Sequence, residues 1–191
     1  MSKYHAILIA IVGWPLLAAT LGAEVPNICP MPPATKLEAL EASSGTVIVK
    51  GVTLIGSVST SNGTVTVVCK LDTDAGAGRK ESGIRIDIGL SGLNEEKRVI
   101  DYDELDSLLR AIDSLSKVDW TVTPLSSFNA VYATKSGFRI TASGPRRLGI
   151  IEYSLAAGEP AKRIMLTQAQ LAQFSALIAQ AKRTLDSAGT Q

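Results

Sequence analysis

The chain has 191 residues, 46% of them hydrophobic, with 19 basic and 18 acidic side chains, two cysteines and one histidine. That length supports one domain, or two small lobes sharing a core. The histidine, His5, lies in a segment that reads as removable, so Ser-His-Asp and Cys-His mechanisms and His-ligated zinc or copper are excluded for the rest of the chain.

The opening "MSKYHAILIAIVGWPLLAATLGAEVP" has a basic start at Lys3, an uncharged run from Ala6 to Ala23, and then Glu24. This is the order of a secretory signal peptide over residues 1–23, cleaved after Ala23, although Leu21 stands where a small residue is preferred. The alternative is an uncleaved anchor, for which the run is marginal in length and is broken by Gly13-Trp14-Pro15. No later apolar run approaches membrane length, so no stable span is expected after cleavage. The expected location is secreted or periplasmic.

Residues 24–45 read as a proline-rich tail, with four prolines in "EVPNICPMPPATK". Cys29 falls there, and Ile28 before it is wrong for lipid attachment. Cys29 and Cys69 are a possible disulfide pair in an exported protein; the other reading is that Cys69, in "VTVVCKL", is a buried thiol.

Residues 46–118 predict four strands and a helix. "GTVIVKGVTLIGSV" is β-branched, with Gly51 and Gly56 marking a bend or bulge, and "SNGT" turns it into "TVTVVCKL". Beyond the loop "DTDAGAGRKESG", the strand "IRIDIGL" sets Ile84, Ile86, Ile88 and Leu90 on one face and Arg85 and Asp87 on the other. "KRVI" leads into a helix from Asp101 to Lys117.

A linker at 119–127 is followed by the same order over 128–188: "FNAVYAT", "FRITA", "RLGIIEYSL", "AKRIML" and a second helix. The two helices open alike, Asp101 with Glu104 and Thr167 with Gln170, as capping boxes. Each then carries apolar residues at helical spacing, Leu105, Leu108 and Ile112 against Leu171, Phe174 and Ile178. The expected fold is therefore α+β, two pseudo-repeats of a four-stranded antiparallel meander followed by one amphipathic helix. Each helix is expected to lie over its own meander.

Motifs that would carry chemistry fail on spacing. From Asp72, the positions where a calcium loop wants an oxygen ligand, a glycine and a glutamate hold Gly76, Ala77 and Gly83. Gly78-Arg79-Lys80 does not complete a phosphate loop, and Ser114-x-x-Lys117 falls at a helix end without the partners of penicillin-recognising enzymes. Asp87 and Glu152, matched between the repeats, are the best carboxylate pair for hydrolysis, with salt bridges to Arg85 or Arg147 as the plain alternative. No cofactor or metal is expected.

Charge is split along the chain: residues 24–120 hold 10 basic and 15 acidic side chains, and residues 121–191 hold 8 and 3. Strand alternation turns Arg139 away from the helix-covered side, and Arg147 and Lys162 are expected to join it as a ligand-binding face beside tyrosines. The two-lobed architecture is similar to that of the Whirly and Pur-type nucleic-acid binders, although none of their motifs is present. That likeness is one of fold only; the residues themselves offer Arg139, Arg146, Arg147, Lys162 and Arg163, with Tyr132, Phe138 and Tyr153, as candidates for a nucleic-acid-binding sheet face. The phrasing of "DYDELDSLLRAIDSLSKV" and "LIAQAKRTLDS" also resembles small exported bacterial proteins of unassigned function, over about residues 98–188, and implies no site residues. The expectation is an exported, non-catalytic binding module whose partner is a cell-envelope protein or a polyanion; the alternative is a small secreted hydrolase using carboxylates.

Overall fold

The structure is a computed structural model, described here over residues 32–90, 92 and 94–189. The expected signal peptide and Cys29 lie outside the described residues. Two antiparallel four-stranded meanders are present, each followed by a helix. The first sheet holds β1 (Ile48–Ser59), β2 (Gly63–Asp74), β3 (Lys80–Leu90) and β4 (Glu96–Asp101) in that order. A 3-10 turn at Tyr102–Glu104 leads into α2 (Leu105–Ser116). The second sheet holds β5 (Ser127–Ala133), β6 (Arg139–Pro145), β7 (Glu152–Ala157) and β8 (Lys162–Leu166), followed by α3 (Gln168–Gly189). Among the described residues no helix is long and apolar enough to cross a membrane.

Alternation sorts the side chains as the strand pattern predicts. Val65, Val67 and Cys69 of β2 and Ile84, Ile86 and Ile88 of β3 are buried on one face of the first sheet. Phe138, Ile140, Leu155 and Ile164 do the same for the second. All of them belong to one continuous apolar core. Such a core forms because a meander has one apolar face and no means of covering it alone.

The covers are exchanged between the repeats. α3, the helix of the second repeat, packs on β1, β2 and β3, whereas α2 packs on β5 and β6. Ser107 of α2 is hydrogen-bonded to the Tyr132 hydroxyl of β5 (3.0 Å), and Glu104 accepts the backbone N–H of Lys135 (3.1 Å). The expectation that each helix lies over its own meander is thus replaced by a reciprocal arrangement. Helical periodicity specifies an apolar face, and either sheet can satisfy it.

The segment expected to be an extended tail contains α1 (Lys36–Glu41), with a complete capping box at Thr35 and Glu38. Leu37 and Leu40 are fully buried against the outer side of the first sheet, where Gly83 leaves room for Leu37. Asp101, expected to cap its own helix, makes no such bond. Its carboxylate instead accepts the backbone N–H groups of Lys36 (2.8 Å) and Leu37 (3.2 Å), the free donors at the start of α1. The capping box at Thr167 and Gln170 is present as expected, at 3.2 and 2.8 Å.

Candidate functional site

The solvent face of the second sheet is fixed by its register. Arg139 of β6 pairs with Ala156 of β7, which pairs with Arg163 of β8. The three residues therefore form one row across the sheet, with two guanidinium side chains flanking a methyl group. The next row is Val131, Thr141, Ser154 and Met165, and the one beyond carries Asn129, Ser143 and Glu152. Because Ala156 is small, the surface dips between the arginines. The resulting shallow recess has a volume of about 390 Å³, lined by Arg139, Arg163, Thr141, Ser143 and Asn129 among others. Hydroxyl and amide groups on the floor and cations at the end suit an anionic, hydroxyl-rich ligand.

Of the three cations read from the sequence, the recess takes one. Arg139 lines it, with its guanidinium 3.6 Å from the exposed Glu159 carboxylate. Lys162 has the opposite parity on β8: it pairs with the buried Ala157, and its ammonium meets Glu96 (3.2 Å) and the Asn94 carbonyl of the first sheet. Arg163, the next residue, occupies the place expected for Lys162. Arg147 sits in the 3-10 turn Arg146–Leu148 past the far end of β6. Six residues of strand separate that end from Arg139, roughly 20 Å. Arg146 bonds the carbonyls of Trp120 and Thr123 and so ties down the linker.

The aromatic residues expected beside these cations face the other way. Tyr132, Phe138 and Tyr153 belong to the core side of the sheet. The face therefore lacks a stacking platform of the kind by which single-stranded nucleic acids are held.

The carboxylates are also distributed rather than convergent. Asp87, on β3, is gripped by Arg85 through two hydrogen bonds of 2.8 and 2.9 Å, while Glu152 lies exposed at the start of β7 in the other sheet. Asp74 spends its carboxylate on the loop after β2, accepting from Thr46 (2.5 Å), Gly76 (2.8 Å) and Ala77 (3.0 Å). The Thr46 hydroxyl and those two amides hold it below the usual carboxylate range. Among the described residues no group of three or more His, Cys, Asp and Glu is arranged to hold a metal ion.

A second titratable cluster lies beneath α1, and sequence reading missed it. Lys70 and Asp72, two apart on β2, are both buried, with their charged groups 3.5 Å apart, and Glu41 of α1 closes over the Lys70 ammonium. Burial raises the Asp72 carboxyl above its usual range, and the adjacent Glu41 carboxylate adds to the effect. Burial acts in the same direction on Glu41, but the hydrogen bonds from Lys70 and Asp72 and the Lys70 charge outweigh it and hold Glu41 down to about 2. Among the described residues the Asp72 oxygens accept no hydrogen bond, and the Lys70 ammonium stands 3.5 Å from one of them. The i,i+2 spacing of Lys70 and Asp72 on one strand face was the signal available in the sequence.

Cys69 is a buried free thiol whose Sγ donates to the Ala181 carbonyl (3.4 Å), and burial pushes its pKa up to about 11.

The chain matches no protein-family model, no curated protein and no solved structure.

Proposed function

We propose that the chain is an exported, non-catalytic binding module that takes an anionic ligand on the outer face of its second sheet. The observation behind this reading is the Arg139–Ala156–Arg163 row with its hydroxyl-bearing floor. Two cations about two strand spacings apart, roughly 10 Å, suit successive charges along a polyanion such as an acidic glycan. The inward aromatic side chains disfavour nucleic acid as the ligand. No observation favours the hydrolase alternative, since Arg85 already engages both oxygens of Asp87.

Heparin chromatography at low salt tests the reading. The wild type should be retained and should elute as salt rises, because exposed cation–anion contacts are screened. An Arg139→Ser, Arg163→Ser double variant should flow through, while an Arg147→Ser, Lys162→Ser variant should still bind. A wild type that passes through unretained ends the proposal. Export is tested separately by mass spectrometry of the secreted protein, which should begin near Glu24.

A further inference from the structure

β1 is the outer strand of the first sheet, and among the described residues no strand pairs with its open side. The phase of its hydrogen bonding can be read from both ends. At the hairpin, Thr60 N–H donates to the Gly63 carbonyl (2.8 Å); at the other end, Ala75 N–H donates to the Val47 carbonyl (2.9 Å). Antiparallel pairs alternate between bonded and non-bonded. Val47, Val49, Gly51 and Thr53 therefore point their backbone groups at β2. Ile48, Lys50, Val52 and Leu54 point theirs outward, at the open edge.

The molecule closes comparable groups elsewhere. On the outer edge of β8, the Asn62 side-chain amide donates to the Arg163 carbonyl and accepts the Met165 N–H. Past the bulge between Leu54 and Gly56, the Ser59 carbonyl of β1 is taken by Gln170 (2.9 Å). Between Ile48 and Leu54 nothing of the kind occurs among the described residues. That stretch carries Val49, Val52 and Leu54 at 57%, 59% and 68% exposure, and its one charged residue is Lys50. Edges of this length are ordinarily blunted by charge, proline or a covering loop.

We infer that this edge pairs with the β1 edge of a second copy of the chain about a two-fold axis at Gly51. Symmetry requires each residue to pair with one whose number completes a fixed sum, and the outward-facing groups restrict the choice. Centring on Gly51 pairs Ile48 with Leu54 and Lys50 with Val52, so all four outward residues are bonded in both directions. Centring on Lys50 sets Lys50 against Lys50, and like charges directly opposite are destabilising. Centring on Val52 matches three of the four residues and carries Ile48 into the bulge. The Gly51 register places Leu54 on Ile48 and Val49 on Thr53, with no charge opposite a charge. Each Lys50 ammonium is already 3.3 Å from Glu41 of its own chain. The product is one antiparallel sheet of eight strands, and the interface is isologous, the commonest symmetry among soluble oligomers.

Light scattering and sedimentation equilibrium on the purified protein test the inference. The wild type should be a concentration-dependent dimer, and Val52→Lys, which puts a charge on the edge, should be a folded monomer. A wild type that stays monomeric at its highest soluble concentration overturns the pairing, as does a Val52→Lys variant that still dimerises. If Val52→Lys fails to fold, Gly51→Cys in a Cys29→Ser background decides. Residues opposite each other at a non-bonded antiparallel position are within disulfide reach, so mild oxidation should give a covalent dimer. The added Cβ would lie 3.1 Å from the Leu71 carbonyl, which needs only a small adjustment. Absence of that cross-link in the folded variant overturns the Gly51 register.

Discussion

The Cys69 thiol on β2 donates to the Ala181 carbonyl on α3, 112 residues further along the chain. That contact ties the last helix to the first sheet. With Gly56 of β1 set close against the Leu177 side chain, it defines a cover that crosses from one repeat to the other. Neither repeat is then complete without its partner.

Ala181→Leu tests the crossing. The position is fully buried, and extra methylenes in a packed core cost about 1–3 kcal/mol. Hydrogen exchange should show protection lost first in β1 and β2, although the substitution lies in the second repeat. Loss confined to β7 and β8 would return α3 to its own meander.

Cys69 gives a second measurement. Because burial holds its pKa near 11, the thiol should resist a disulfide reagent at pH 8 and react only on unfolding. In a Cys29→Ser background, rapid labelling of the native protein would place Cys69 at the surface.

How far these contacts are readable from sequence depends on the residue. The alternation of Ile84, Ile86 and Ile88 identifies the core face of β3 because a strand has two faces and one is apolar. The apolar stripe of α2 does not say which sheet it meets, since both sheets present equivalent faces. α1 is preceded by prolines that suggest an extended chain, yet Thr35-x-x-Glu38 is a capping box and Leu37 and Leu40 share a face. At the recess, a one-residue difference in parity exchanges Lys162 for Arg163, and strand boundaries read from sequence are not that fine.

The α1 cluster should respond to pH. Asp72 is raised, so its contribution to stability is complete at low pH and is lost as pH rises through its folded-state pKa. Glu41, held down to about 2, contributes above the ordinary carboxylate range, and that contribution is lost as pH falls toward 2. Docking of α1 therefore weakens in both directions, as pH falls toward 2 and as pH rises through the Asp72 pKa. Asp72→Asn removes the buried carboxyl beside Glu41, so its Tm should exceed that of the wild type at pH 8. A lower Tm at pH 8 would mean that pairing with Lys70 outweighs burial, so that the Asp72 carboxyl is not raised.

Asp101→Ala removes the acceptor for two backbone donors at the start of α1. Unsatisfied donors of this kind cost about 1–3 kcal/mol, enough to release so short a helix. Proteolysis should then cut within residues 36–41, with the sheets intact. Resistance equal to the wild type would assign the docking to Leu37 and Leu40 alone.

Asn62-Gly63 is a hairpin signal in the sequence, and the hairpin forms without a left-handed residue at either position. No residue other than glycine has a positive φ among the described residues, and Gly63 is not among the glycines that do. Glycine is required at position 63 because an added Cβ would lie 2.3 Å from the Gly89 carbonyl. Asn62 is required for the seam: its Nδ2 donates to the Arg163 carbonyl at 3.0 Å, and its Oδ1 accepts from Met165 N–H at 3.2 Å. Asn62→Ala loses both bonds, a net cost of about 1–3 kcal/mol. Asn62→Asp keeps the shape and the bond from Met165, but turns an acceptor oxygen toward the Arg163 carbonyl. Acceptor facing acceptor is worse than a methyl group that faces nothing, so Tm should fall in the order wild type, Asn62→Ala, Asn62→Asp. If the aspartate variant melts with the wild type, the amide does not stitch the sheets, and Asn62 serves only its turn.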